Sequence, residues 1–345
     1  MRYKRLVLIL AGMLVVFVAL NGVIWKSWTQ DLITDAHFDG GDLTRMGYIP
    51  GSKMPRHNRV DLPRRHISLK EYAGQPVDMV TIGDSFSQGG GGGYNRYYQD
   101  YIATRYDMTV LNLDHYKDVD FITTISLFLN NGFLDKVRPR YVLIEASERG
   151  IKELAHPVDF SRVEPLETVR GYRLYPHASH PPDVSFINNG NFKFLFNALW
   201  FRFTDHGLFG DVRVADLKGD FFSVTKGDKL LYLPYKPKFG AAEVGALNEN
   251  MNMLADRLSA HGIRLIYMPY VDKYTLYRNW LVRPTYPESQ FFELLRPLAK
   301  RYQYIDTKEL LREELAKGEK DIFYADDTHS SWKASEKIFS VVRFP

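Results

Sequence analysis

Gly83-Asp84-Ser85 ends a β-branched apolar run at residues 77–82, and Asp326-Asp327-Thr328-His329 stands near the other end of the chain. A serine hydroxyl is a weak nucleophile until a base takes its proton, and histidine is the usual base near neutral pH. A carboxylate on the second ring nitrogen fixes the tautomer and stabilises the imidazolium. Ser85 is therefore the candidate nucleophile and His329 the candidate base. Asp326 and Asp327 are both spaced to orient the ring, and the spacing leaves that choice open. Alone, Gly-Asp-Ser is commonly a turn and Asp-Asp-Thr-His a surface loop. Together, in a chain that alternates strands and helices, they point to acyl transfer.

The elements that must bring these residues together can be read from the pattern. Residues 77–82 read as a buried strand, and in open α/β sheets ligands bind at the carboxyl ends of strands. A serine there sits near the positive N-terminus of a following helix, expected over residues 94–106. The intervening glycines, Gly89 to Gly93, suggest a phosphate loop, but the Gly-Lys-Ser/Thr ending that grips phosphate and metal is missing. Further strands are expected at 108–113, 141–146, 264–269 and 302–306. Helices are expected at 121–129, 241–261, 291–301, 307–317 and after Trp332, with Pro297 weakening the 291–301 helix. Such alternation predicts a parallel sheet.

From about 152 to 240 the alternation breaks into a Pro- and aromatic-rich insertion. A helix is expected over 192–203, its aromatics forming either hydrophobic core or a cap lining a binding groove. His177 and His180 suggest a metal pair, yet no third ligand follows at a recognisable spacing.

Residues 6–25 are apolar apart from Gly12, Asn21 and Gly22, behind the basic Arg2, Lys4 and Arg5. About twenty helical residues match the thickness of a bilayer's hydrocarbon core. Trp25 and Trp28 mark its far end, and the basic residues keep the N-terminus inside. Residues 1–28 are expected to form an uncleaved anchor, with a cleaved signal peptide as the alternative; no A-x-A-like site follows. Either way, the rest is expected outside the cytoplasm, periplasmic or on the outer membrane face. Residues 29–71 read as a linker and lead-in, and 72–345 as the domain carrying the insertion. The chain has 45 basic and 41 acidic residues, a net charge of +4, with three of the basic ones ahead of the apolar run. That near-neutral remainder argues against nucleic-acid binding. With no cysteine, disulfides, thiolate nucleophiles and Cys-type zinc sites are excluded.

The pairing of a serine block at the first strand with a late Asp-x-x-His resembles the SGNH (GDSL-like) hydrolase superfamily. Within it the chain looks most like the AlgJ/AlgX-like polysaccharide O-acetyltransferase proteins. The resemblance rests on Gly83-Asp84-Ser85-Phe86, the strand end at residues 144–149, the segment at 271–277, and Asp327-Thr328-His329 with Trp332 nearby. The single anchor ahead of the serine block is also similar to DltD-like proteins. Two features depart from the pattern: the Asp-Thr-His block comes last, and Ser330 and Ser331 separate His329 from the tryptophan. The glycine and Gly-x-Asn-Asp blocks of ordinary SGNH esterases are absent at residues 112–115 and 147–149. The second oxyanion donor is thus unassigned.

The resemblance implies an SGNH/flavodoxin-like three-layer α/β domain. It also implies a serine acyltransferase or esterase acting on O-acyl groups, above all O-acetyl groups, of a cell-envelope or exported polysaccharide. The superfamily's Asp-x-x-His favours Asp326 as the orienting acid, and the acetylation proteins' Asp-x-His favours Asp327. Asp84, Arg149 and Lys273 are candidate substrate contacts; for Arg149, an ion pair with Glu145 or Glu148 is the structural alternative. No metal or soluble cofactor is implied, and the acyl donor is expected from a multi-spanning membrane partner. A catalytically silent glycan-binding or scaffolding subunit is the rival reading, and a secreted lipase a third.

Overall fold

The computed structural model describes residues 2–30, 41–47, 54–176, 185–224, 227–234 and 239–345. The first helix, α1 (Arg2–Ile24), runs on through a π-helical turn to Thr29. This single N-terminal helix is long and apolar enough to span a membrane, with a mean hydropathy of 2.7 over its best window. His177, His180 and Pro50-Gly51 lie outside the described residues.

The domain is wound from β1 (Ile67–Ser68), β2 (Met79–Ile82), α2 (Tyr98–Tyr106), β3 (Val110–Asn112), α3 (Phe121–Asn130) and β4 (Tyr141–Ser147). The region read as an insertion follows, holding α4 (Gly190–Trp200) and an antiparallel ribbon of β5 (Arg213–Asp216) and β6 (Lys229–Tyr232). The regular pattern resumes with α5 (Ala241–Ser259), β7 (Arg264–Tyr270), β8 (Gln303–Tyr304), α6 (Thr307–Ala316) and α7 (Trp332–Val341).

Six strands form one parallel sheet in the order β1-β3-β2-β4-β7-β8. Every residue of β2 is buried, as a parallel strand covered by helices on both faces requires. Apart from β1, the order of appearance across the sheet is 2-1-3-4-5, a doubly wound arrangement whose switch point lies between its first and third strands. Here those strands are β2 and β4, paired Thr81 to Leu143 and Ile82 to Ile144. Crossovers leave this pair in opposite directions, opening a crevice at their carboxyl ends. Ser85 follows one of these strands and Ser147 ends the other.

Local chemistry sets the element ends. Asp120 caps α3 by accepting the Thr123 N–H at 2.9 Å, and Ser331 caps α7 through the Lys333 N–H at 3.1 Å. The helix expected over 291–301 stops at Leu295, because Pro297 cannot donate the bond that would continue it. The segment read as a linker contributes β1 to the sheet edge and a short helix, Asp42–Gly47.

Candidate functional site

Ser85 sits just beyond β2, where the chain turns under tight constraint. A Cβ on Gly83 would lie 2.2 Å from the Ser87 Oγ and 2.4 Å from a Glu145 carboxyl oxygen. Only glycine fits there. The Asp84 carboxylate accepts the Phe86 N–H at 3.1 Å and the Ser147 N–H at 2.8 Å, tying the ends of β2 and β4 together. Beneath the turn, the Ser87 hydroxyl donates to Glu145 at 2.8 Å. Burial first, and then the charge of Asp84, push the Glu145 carboxyl well above its ordinary range.

His329 arrives from the opposite end of the chain. Its Nε2 lies 2.7 Å from Ser85 Oγ, and its Nδ1 lies 2.7 Å from Asp327 Oδ1. The same carboxylate oxygen accepts the His329 N–H at 3.0 Å, so ring and backbone are gripped together. Phe86 packs edge-on against the imidazole with centroids 4.9 Å apart and stacks on Tyr270 at 4.1 Å. Burial disfavours a charged imidazole, but the adjacent Asp327 carboxylate outweighs it and raises the His329 pKa. For Asp327, burial is in turn outweighed by His329 and Arg56, so its carboxyl is held well below the usual range. The pair is ready to accept a proton from Ser85 and hold it.

The two aspartates divide their work. Asp327 orients the histidine. Asp326 faces away, fully buried, accepting the Gly41 and Met54 N–H groups at 3.1 Å each and pairing with Arg56 at 2.8 Å. Its role is to fasten the lead-in segment to the loop, so it is not the orienting acid. Burial, partly offset by Arg56, raises its pKa.

Arg56, 1% exposed, also reaches Asp327 at 3.3 Å and stacks over Tyr324 at 3.9 Å. Asp42 accepts the Thr328 N–H at 2.7 Å and lies 3.8 Å from the His329 Nδ1. Burial and the charge of Asp327 push the Asp42 carboxyl up to about 6. Arg56 and Asp42 are the site residues that sequence reasoning missed. Both belong to the segment read as a linker, where no local spacing marks a partner some 270 to 290 residues away.

Of the remaining candidates, Lys273 acts structurally. Lys273 is 2% exposed and donates to the carbonyls of Tyr324, Ala325 and Asp327 at 2.7, 2.9 and 3.0 Å. It staples the histidine loop and offers substrate nothing. Burial lowers its pKa to about 8. Arg149, for which the sequence offers an ion pair with Glu145 or Glu148 as the structural alternative, donates to Asp272 at 2.6 Å and to the Leu233 carbonyl at 3.1 Å. Its side chain still lines the cleft, as does Asp84.

The glycine run acquires a steric reason. A Cβ on Gly90 would fall 2.4 Å from the His329 Nε2, so the loop crosses directly against the His329 ring. Gly90 is itself exposed. Gly90→Ala should therefore leave thermal stability nearly unchanged yet lower kcat/KM by roughly a hundredfold, since about 1 Å of misplacement costs that much. Thermal melts beside ester kinetics check both halves.

Ser85 opens onto a cleft of about 600 Å³ at the switch point of the sheet. The loop after β3 supplies His115, Lys117 and Asp118, and the end of β4 supplies Ser147 and Arg149. Tyr175 stacks flat on His115 with centroids 4.5 Å apart. Among the described residues the Ser85 N–H has no hydrogen-bond acceptor within the protein, leaving it available to a developing oxyanion. Asp42, Asp327 and His329 are also spaced closely enough to hold a cation, but His329 Nε2 and Nδ1 are already engaged by Ser85 and Asp327. No protein-family model and no curated protein matches the chain.

Proposed function

We propose that the protein is a membrane-anchored serine acyltransferase or esterase of the SGNH type, acting outside the cytoplasm on O-acyl groups of a polysaccharide. The observation that carries the chemistry is the continuous Ser85–His329–Asp327 relay, 2.7 Å at each step. His329 Nε2 takes the Ser85 proton as Oγ attacks the acyl carbonyl. The Ser85 N–H faces the oxygen that becomes negative. Collapse expels the donor alcohol, which leaves with the proton from His329, and Ser85 carries the acyl group. A sugar hydroxyl then gives its proton to His329 and attacks the acyl-serine; collapse breaks the bond to Oγ, His329 returns the proton to Ser85, and the sugar departs as the ester. Water in its place yields the free acid.

Transfer to a glycan is the first reading because the cleft joins an exposed aromatic face, Tyr175, to charged and hydroxyl groups. An anchored enzyme is placed to take its acyl group from a multi-spanning membrane partner. The test incubates the detergent-solubilised chain with an aryl acetate and an acetylatable oligosaccharide, followed by mass spectrometry. Acetylated sugar identifies a transferase, and acetate alone an esterase. A folded protein that yields neither would favour a glycan-binding or scaffolding subunit.

The active form carries neutral His329, so kcat/KM should rise with pH through the raised histidine pKa. Its acid limb should lie above the ordinary histidine value of about 6.5. In Asp327→Asn the limb moves towards acid and the rate falls about 10⁴-fold, because the ring loses both its counter-charge and its tautomer. Asp326→Asn should leave the limb in place. A pH–rate series on both variants checks the assignment.

A further inference from the structure

Helix α4 is fixed to α1 at a depth that says what surrounds it. Phe192 stacks on Phe17 of α1 with centroids 5.3 Å apart, and Phe186 packs edge-on against Trp25 at 5.5 Å. Phe17 lies about 12 Å before Trp25 along the helix axis, at roughly 1.5 Å per residue. If Trp25 and Trp28 mark the bilayer surface, Phe192 lies well inside the hydrocarbon. The polar groups at this junction are satisfied. Asn191, fully buried, donates to Asn21 at 2.9 Å, also bonds Thr29, and Asn21 donates to the Phe186 carbonyl at 2.6 Å. Such mutual pairing is what polar side chains need at membrane depth.

On its domain side α4 is held by Asn197, whose amide donates to the Gly47 carbonyl at 2.6 Å and accepts the Leu208 N–H at 2.7 Å. Its other faces and flanks carry large apolar groups that stay exposed among the described residues, Trp200 with His206 against its edge. Phe203 is 83% exposed, Ile187 70% and Phe196 50%, with Leu199 and Trp200 beside them. So many large apolar groups left exposed along one short segment are costly in water.

We infer that α4, with its flanking residues Ile187 and Phe203, is a second membrane contact that enters the outer leaflet beside α1, its aromatic face embedded in lipid. The occupant is the bilayer itself, because α4 already touches the spanning helix inside the apolar layer. Embedding to the depth of Phe17, about 12 Å from Trp25, fixes the domain against the membrane at two points and ends its free rotation about α1. The inference rests on α1 spanning a bilayer and not on the chemistry at Ser85.

The chain has no cysteine, so single labels can be placed cleanly. Phe196→Cys and Phe203→Cys carry an environment-sensitive fluorophore in the full-length protein, reconstituted in phosphatidylcholine–phosphatidylglycerol vesicles. Leu10→Cys in α1 and Val163→Cys, at an exposed position of the domain, are the references. Labels at 196 and 203 should lose about half their intensity or more to lipids doxyl-labelled near the headgroup and respond little to iodide. The label at 163 should do the reverse. Labels at 196 and 203 that answer to iodide alone would overturn the inference. So would labels that answer to neither quencher, which would mean that a second copy of the chain covers the face. If the label at 10 escapes the lipid quencher, α1 is not in the bilayer and the inference falls with it, leaving the Ser85 chemistry untouched.

Discussion

Ser85→Ala is expected to lower kcat towards an activated ester by about 10⁶-fold, and His329→Ala by nearly as much, the scale on which other serine–histidine pairs fail. The reason lies in the 2.7 Å contact between Oγ and Nε2. Without the hydroxyl nothing is left to acylate, and without the base the hydroxyl stays protonated. Because the two residues act as one unit, the double variant should be no slower than either single one. What survives should be the small acceleration due to binding and the Ser85 N–H. Ser85→Ala removes no core contact and should melt close to the wild type, whereas His329→Ala leaves the buried Asp327 carboxylate without its ring partner and should melt lower yet remain folded. Steady-state kinetics on the three variants, read beside their melts, separates a broken relay from a misfolded protein.

Arg56→Met is expected to cost about 3–5 kcal/mol of stability, as breaking a buried ion pair from one side does. The side chain is 1% exposed, pairs with both Asp326 and Asp327, and lies over the Tyr324 ring. Methionine keeps much of the volume but leaves two adjacent buried carboxylates without their counter-ion. Arg56→Met combined with Asp326→Asn should therefore recover a large part of the loss, an outcome that lost packing alone would not give. The pH dependence carries the same signature. Burial raises the Asp326 pKa in the folded protein, so the folded form binds its proton more tightly than the unfolded chain does. The resulting penalty is absent below the unfolded-chain pKa and grows as pH rises past it. Removing Arg56 enlarges that effect, and the deficit of Arg56→Met should widen from acid to neutral pH. Melts of the single and double variants across pH 4–8 would check it (about 4 being the ordinary aspartate value).

Ser85, His329 and the acid pair could be read from the chain because each motif is local. A strand end with a glycine and a serine, and an acid–base loop before a helix, declare their chemistry within a few residues. The parallel sheet was legible for the same reason, since buried strands of apolar residues alternate with helical segments. What decides between Asp326 and Asp327 is not local. It depends on Gly41, Met54 and Arg56 folding back over the loop and claiming Asp326. Arg56 fell within the segment read as a linker and lead-in, because a buried arginine and an exposed one share the same sequence pattern. Lys273 misled in the same way: its three carbonyl acceptors belong to backbone, which leaves no trace in side-chain spacing. Gly90 is explained by the ring of His329 passing beneath it, a contact between the two ends of the chain, while Gly89, Gly92 and Gly93 hold positive φ.

The most direct test of the Ser85–His329–Asp327 relay is covalent trapping with an aryl phosphonofluoridate, read by intact mass and peptide mapping. The reagent phosphonylates only a serine whose proton is being drawn away. The relay predicts one adduct per chain, located on the peptide that holds Ser85. It predicts none in Ser85→Ala, none in His329→Ala, and slowed labelling in Asp327→Asn but not in Asp326→Asn. A folded wild-type protein that takes up no reagent at Ser85, or that labels as fast without His329, would contradict it.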